Sequence, residues 1–486
     1  MSRSAPVHIL PIEYSCSTIK DQNRFSMTPD DKSTVDSKIQ PATGASRPGS
    51  WWKMLDRHQK EVFVLASLAW LFDCLGQQVF VIARNPALAS LMPPGTAPDK
   101  LKECGDYMTS IFIIGWATGG LIFGAVGDRI GRARALAITI LLYGLCTGLS
   151  GLATGLTDFA LYRLIAGLGV GGVFGLAVAL CADSLPDLAR PHALGMLQAL
   201  SAVGNVIAGI MAVILGYRQF LFPQSAPAWK SLFFLGAIPP LVCVAYQFKL
   251  KEPEKWTKAR TEGKITGARF GSYASLLGEA RWRKPALFGL LLCVAGVVGL
   301  WGIGFFSPEL VRDVVRGALT AQNVPTTQIP GRLMMWVGLT MIVQNSGSFL
   351  GMLAFTRLAH EFGRKKIFAL SAICAFVSTV AAFRFLTQPW QIFVFCPVMG
   401  FFQLALFAGF AIYLPELFPL RLRSTGTGFC YNVGRFVAAS GPFTLGVLQH
   451  HVSFRNACCW VSSIYLLALI ALPFLPETKG KPLPED

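Results

Sequence analysis

The sequence predicts an all-α membrane protein, with twelve transmembrane helices in two pseudo-symmetric six-helix halves. Three observations carry this: a composition too apolar for water, twelve apolar stretches of bilayer length, and a motif pair that returns at one offset. Of 486 residues, 53% are hydrophobic and only 14% charged. The mean hydropathy is +0.51. Soluble domains carry about 25% charged residues. A soluble chain of this length would form roughly three domains, and so little charge cannot cover their surfaces. Lipid is the solvent that fits.

A helix needs about twenty apolar residues to cross the hydrocarbon core. In the first half such stretches lie near 61–83, 107–127, 134–154, 158–182, 192–216 and 230–249. In the second they lie near 285–307, 333–355, 366–386, 391–414, 426–448 and 456–475. Residues 1–60, mixed in charge and rich in Ser, Thr, Pro and Asp, are expected to form a disordered tail. They lack the basic-then-apolar pattern of a cleavable signal peptide, although Trp51 and Trp52 suggest a short amphipathic stretch. The first bundle is then 61–249 and the second 285–475, with a further tail at 476–486. Between them, 250–284 reads as a polar linker with about ten basic residues around it. Its Tyr273–Trp282 segment is expected as an amphipathic helix on the membrane surface.

The chain also repeats itself. Gly131-Arg132 returns as Gly363-Arg364, an offset of 232. Asp183-Ser-Leu-Pro186-x-x-x-Arg190 returns as Glu416-Leu-Phe-Pro419-x-x-x-Arg423, an offset of 233. Both recur at helix ends on one side, which implies two equivalent halves of the kind that rock around a midplane site. The loops on that side hold roughly twenty Lys and Arg against roughly ten on the other. That side, with both termini, is expected to be cytoplasmic.

Several function classes drop out. The net charge of +17 is spread between the apolar runs, which reads as topology and gives no nucleic-acid surface. The twelve Cys lie mostly within apolar runs and include no Cys-x-x-Cys pair, so neither a disulfide framework nor a zinc site is expected. The six His show no metal spacing. Arg163-Leu-Ile-Ala-Gly167-Leu-Gly169-Val-Gly171-Gly172 contains Gly-x-Gly-x-x-Gly. A dinucleotide fingerprint must follow a strand and open a helix, whereas this run lies within an apolar helix and reads as a packing face. There is no phosphate-binding Gly-x-x-x-x-Gly-Lys-Ser/Thr loop, and no nucleophile–base pair recommends an enzyme.

Gly124-Ala-Val-Gly-Asp128-Arg129-Ile-Gly131-Arg132-Ala-Arg134 resembles the signature loop of the major facilitator superfamily. Physically, Asp128 suits the positive N-terminal end of a second-half helix near Gly426, latching one side shut. The alternative is a short positive-inside loop with no gating role. The second copy is degraded, with Thr356 for the first Gly and His360 for the Asp. The stretch from Pro415 through Glu416, Arg423 and Tyr431 to Arg435 resembles the metabolite/proton symporter branch, which includes sialic-acid, lactate and aromatic-acid carriers.

Ionisable residues inside a span are costly and commonly functional. Asp73, Arg163 and Arg435 are the three candidates. Burial disfavours a charged carboxylate and a nearby Arg favours it, so a substrate arriving beside the Arg can tip Asp73 between its states. A permanent Asp73–Arg pair that only fixes packing is the competing reading. In the resembled branch a first-helix Asp takes the proton and cavity Arg residues meet the substrate carboxylate. The resemblance carries these roles to Asp73, Arg163 and Arg435. A second acid common in relatives is replaced here by Gly76, which puts the coupling stoichiometry in question. Gln77, Gln198, Asn205, Gln344, Asn345, Gln403, Tyr431 and Asn432 form polar stripes in core helices of both halves and are expected around a central cavity. Asp128, Arg129, Arg132, Asp183, Arg190, Arg364, Glu416 and Arg423 are expected in gating ion pairs.

The expected function is proton-coupled symport of a small organic anion, a carboxylate, with protons as coupling ion and no cofactor or metal. A sugar transporter of the same fold is the alternative, because that branch shares the Glu-x-x-Pro-x-x-x-Arg pattern. A non-transporting receptor is the alternative from another class. The expected setting is a cell membrane, as a monomer, with no nucleic-acid partner.

Overall fold

The computed structural model describes residues 51–221, 229–266, 269–302, 307–439 and 452–485. The first half comprises α1 (Arg57–Leu91), α2 (Pro98–Ile130), α3 (Arg132–Ser150), α4 (Leu156–Ser184), α5 (Arg190–Leu221) and α6 (Trp229–Gln247). The linker carries α7 (Glu254–Thr266) and α8 (Tyr273–Gly278). The second half comprises α9 (Ala280–Gly302), α10 (Ser307–Ala321), α11 (Ile329–Phe362), α12 (Arg364–Phe385), α13 (Ile392–Leu417) and α14 (Arg423–Ala439), then a last helical stretch over Phe454–Phe474. Among the described residues eleven helices are long and apolar enough to cross a membrane. The twelfth expected span, 426–448, starts in α14 and continues into residues outside the described ones.

Helical spans are what lipid demands, since each backbone N–H and C=O must find its partner within the segment. Close approach between them is set by glycine. A Cβ on Gly171 of α4 would stand 2.0 Å from the Trp116 carbonyl oxygen, and one on Gly119 of α2 would stand 1.9 Å from that of Leu168. The glycine-rich run in α4 is therefore the packing face the sequence suggests.

Three boundaries differ from expectation. Residues 1–50 of the expected tail lie outside the described residues, but the tail does not reach residue 60. Asp56 caps α1, accepting from the Gln59 amide at 2.8 Å, and the Trp51 and Trp52 rings pack on Phe63. In the linker, the helix expected over Tyr273–Trp282 ends at Gly278, and one face of it packs on protein. Leu276 is fully buried and the Tyr273 hydroxyl donates to the Leu121 carbonyl at 2.7 Å. The segment after 475 is docked at its start, where Glu477 caps α12.

That cap explains the Gly-Arg repeat. Gly131 (φ 116°) and Gly363 (φ 94°) occupy the left-handed side of the map, where a side chain is strained. Each lets one helix turn directly into the next. The new helix then exposes unpaired N–H groups, and a distant Glu accepts them. Glu252 accepts from Ala133 and Arg134 (3.2 and 3.0 Å), and Glu477 from Arg364 and Lys365 (2.9 and 3.1 Å). Burial alone would raise the Glu477 pKa, but these amides outweigh it and hold the carboxyl below its usual 4.5. A carboxyl with a lowered folded pKa contributes stability above its unfolded value and loses it as pH falls through the folded one. Glu477→Gln is therefore expected to cost about 1 kcal/mol at neutral pH, the scale of a helix cap. The melting-temperature gap from wild type should close below about pH 4.5. A gap that persists at low pH would show that the charge is not the cause.

Candidate functional site

A partly open cavity lies between the halves, about 850 Å³ when the solvent at its mouth is counted. From the first half it is lined by α1 (Trp70, Cys74, Gln77, Gln78, Val81), by Trp116 of α2, and by Gln198, Ser201 and Asn205 of α5. The spacing along α1 is one helical face, i, i+3, i+4, i+7. From the second half come Trp301, Met341, Gln344, Asn345, Phe407 and Tyr431, among others. Thus Gln77, Gln198, Asn205, Gln344, Asn345 and Tyr431 meet at one place, as their stripes suggest. Asn205 donates across the halves to Asn345 Oδ1 at 2.8 Å, and Gln198 accepts from the Trp70 indole at 3.0 Å.

Behind this wall sits Arg435, almost fully buried. Its guanidinium stacks on two rings that line the cavity, Trp116 at 3.9 Å and Tyr431 at 4.2 Å. Nη1 donates to the Tyr431 carbonyl (3.0 Å) and to Asn432 Oδ1 (2.7 Å). Nε and Nη2 have no hydrogen-bond partner among the described residues. Asp73 is also fully buried. Its Oδ2 accepts from Gln77 Nε2 at 2.8 Å, its Oδ1 has no partner, and it makes no ion pair among the described residues. Arg435 is nevertheless within electrostatic reach of it. Two ionisable groups, an acid and a base, thus flank the cavity wall, each incompletely partnered. A buried charge in that condition is expensive.

Three expected site residues lie elsewhere. Arg163 does not reach the cavity: it turns toward α3, donating to Ser150 Oγ and the Cys146 carbonyl, between the Phe80 and Phe233 rings. Gln403 points away to Thr379 of α12 (2.8 Å). Asn432 faces Gly120 and serves Arg435 instead of lining the cavity. All three are correctly read as buried polar groups, but helix rotation sends them into packing seams. Conversely, Trp116 is not among the expected site residues. Its only sequence signal is a large ring amid glycines in Gly115-Trp116-Ala-Thr-Gly119-Gly120.

One end of the bundle is closed by ties between the halves. Asp128 accepts from the Thr425 amide (2.8 Å), the Thr425 hydroxyl (2.7 Å) and the Ser424 amide (3.3 Å), at the N-terminus of α14. Arg132 pairs with Asp128 (3.0 Å) and Asp183 (3.2 Å) and donates to the Leu420 carbonyl (2.7 Å). Asp183 in turn pairs with Arg423 of the second half. The other expected gating residues do not bridge halves through ion pairs. Arg190 pairs with the adjacent Asp187, and Arg364 with Glu416 (2.9 Å) inside the second half. Arg129 donates to the Gly271 carbonyl of the linker (3.2 Å). Gly271 also donates to the Arg421 carbonyl (3.1 Å), so the linker is itself a tie. Arg421 grips Glu279 by both carboxylate oxygens, which holds that carboxyl below its usual range. Glu252, Glu279 and Arg421 are not among the expected site residues either. Glu252 and Glu477 do equivalent work after α6 and after the last helical stretch, but at an offset of 225 they fall outside the register of the other two repeats.

A two-halved helical bundle, tied at one end around a central polar cavity, is the architecture of a membrane transporter. The profile of the Major Facilitator Superfamily matches residues 87–343 and 319–485, and the chain belongs to that superfamily. It is 31% identical over 386 residues to a putative metabolite transport protein of Haemophilus influenzae, covering 78% of this chain and 88% of that one. It is 28% identical over 379 residues to a cis,cis-muconate transport protein of Acinetobacter baylyi, covering 77% and 85%. The fold resembles that of a solved proton:xylose symporter, with a TM-score of 0.68 at 19% identity, covering 88% of this chain and 98% of that one.

Proposed function

We propose that this transporter moves a small organic anion, a carboxylate, together with protons. The carrying observation is Arg435, a buried guanidinium directly behind the Trp116 and Tyr431 rings of the cavity wall, with two donors unused. An incoming carboxylate would engage them, and charge-assisted bonds of this kind are the strong ones. Trp70, Trp116, Trp301, Phe407 and Tyr431 would hold a planar or apolar body, and the amides its polar edge. Names among the relatives, such as the cis,cis-muconate transport protein, accord with this reading. Asp73 is the proton carrier in this scheme: neutral while Arg435 holds the substrate, charged when Arg435 is free. The closed end faces the cytoplasm of a cell membrane, with both termini on that side, and the protein works as a monomer. The inter-half ties of Asp128, Arg132, Asp183 and Arg423 break when that end opens.

The row of cavity amides (Gln77, Gln198, Gln344, Asn345) supports a second reading, a neutral sugar. One experiment separates them: uptake of radiolabelled organic acids and sugars into proteoliposomes, with and without an inward proton gradient. With one proton per substrate, about one pH unit should drive about tenfold accumulation. Asp73→Asn is expected to lose the accumulation while keeping exchange. Accumulation unchanged in the variant would make Asp73 a packing residue. Flux of sugars alone would favour the second reading, and binding without flux of either would leave a receptor.

A further inference from the structure

The closed end carries a side-chain pair that the transport scheme does not use. His192 lies in the first turn of α5 and His360 near the end of α11, one from each half. Their ring centroids are 5.1 Å apart, inclined at 49°. His192 is half-buried and His360 exposed, so the pair is reachable from water at that end. Its spacing is held by the backbone beneath it. One turn along each helix, Gly195 approaches Thr356 so closely that a Cβ would stand 2.0 Å from the Thr356 hydroxyl oxygen. Nearby acids are already engaged: Asp187 with Arg190, Glu361 with Arg357, Glu416 with Arg364. Neither imidazole has a hydrogen-bond partner among the described residues.

We propose that His192 and His360 form a two-point site for a divalent transition cation of the zinc class, which staples the halves together at the closed end. The geometry suits such an ion. Zn–N bonds near 2.05 Å in tetrahedral coordination place the centroids of two ligating imidazoles ~5.2 Å apart, against 5.1 Å here. Imidazole nitrogen is the ligand such ions prefer among the groups present. No cluster of three or more His, Cys, Asp and Glu exists among the described residues, so water completes the coordination. The rings sit on different halves and separate when that end opens. The ion therefore binds the closed state better than the open one, and by mass action it holds the carrier closed.

The test uses the full chain in detergent and zinc chloride as probe, and it needs no knowledge of the substrate. Zinc should raise the wild-type melting temperature by about 2–4 °C. His192→Ala and His360→Ala should each melt like wild type without metal and each lose the part of the zinc shift that the pair supplies. The double variant should lose no more than either single one, because one ring alone does not staple. In proteoliposomes, zinc on the closed-end face should slow flux in wild type and in neither variant. A zinc shift as large in the single variants as in wild type, its absence in wild type, or equal slowing of flux in all three would overturn the site. The other histidines, including His450 and His451, are left in place throughout, so their binding appears equally in every arm.

Discussion

Arg435→Ala is expected to raise the dissociation constant of the anionic substrate at least about thirtyfold. Removing one partner of a desolvated, hydrogen-bonded charge pair costs about 2–5 kcal/mol, and each 1.4 kcal/mol is tenfold. Arg435→Lys should not restore binding. A guanidinium is planar and lies between Trp116 and Tyr431 with ring contacts at 3.9 and 4.2 Å. An ammonium neither stacks this way nor presents a fork to a carboxylate. The control is Arg163→Gln, which breaks the contacts to Ser150 and Cys146 within the first half. It should lower the melting temperature and leave the dissociation constant within about twofold, well inside one 1.4 kcal/mol step. Tryptophan fluorescence titration with the transported acid would measure both, since three indoles line the cavity. Equal losses of affinity in the two variants would remove the distinction between a substrate-facing and a structural arginine.

The second large effect is expected at Asp128, and it should fall on turnover rather than on binding. Its carboxylate neutralises Arg132 and caps α14 across the interface between halves. Asp128→Ala leaves Arg132 with Asp183, which Arg423 already claims. Breaking a buried pair in this way costs about 3–5 kcal/mol, all of it localised at the closed end. An equilibrium between open and closed ends moved by that amount leaves one state scarcely populated, so a full cycle should slow at least about tenfold. Substrate affinity should change little, because the cavity residues are untouched. Asp128→Asn keeps an acceptor for the Thr425 amide and should fall between. Exchange rates in proteoliposomes decide the matter: an Asp128→Ala protein with wild-type turnover would mean that the tie is not part of the cycle.

Asp128 is legible in the sequence because the motif that presents it is local, although the Ser424 and Thr425 groups it binds lie far along the chain. A Gly at positive φ, an Arg immediately after it and an acid four residues before that Arg fix one helix end completely. The same motif in the second half lacks the acid, and there Arg364 turns to Glu416 instead. Arg163 shows the opposite situation. In sequence it is indistinguishable in kind from Arg435: both are single arginines among glycines and apolar residues in a spanning helix. Arg435 meets the cavity wall and Arg163 meets Ser150 and two phenylalanine rings, and that difference lies in helix rotation. The polar stripes behave the same way. Gln344 and Asn345 line the cavity, while Gln403, fully buried and equally polar, serves α12.

Spans, halves and superfamily all follow from the order of residues. In lipid, backbone pairing must be internal to each segment, so apolar length alone dictates helices, and duplicated motifs survive in register. Which buried polar groups converge is a matter of three-dimensional packing. A polar side chain in a lipid-embedded helix will accept any neighbour that satisfies it, and its choice follows from how glycine seams set helix rotation. The Arg435–Trp116–Tyr431 stack and the His192–His360 pair each join residues remote in the chain, so they exist only in the packed bundle.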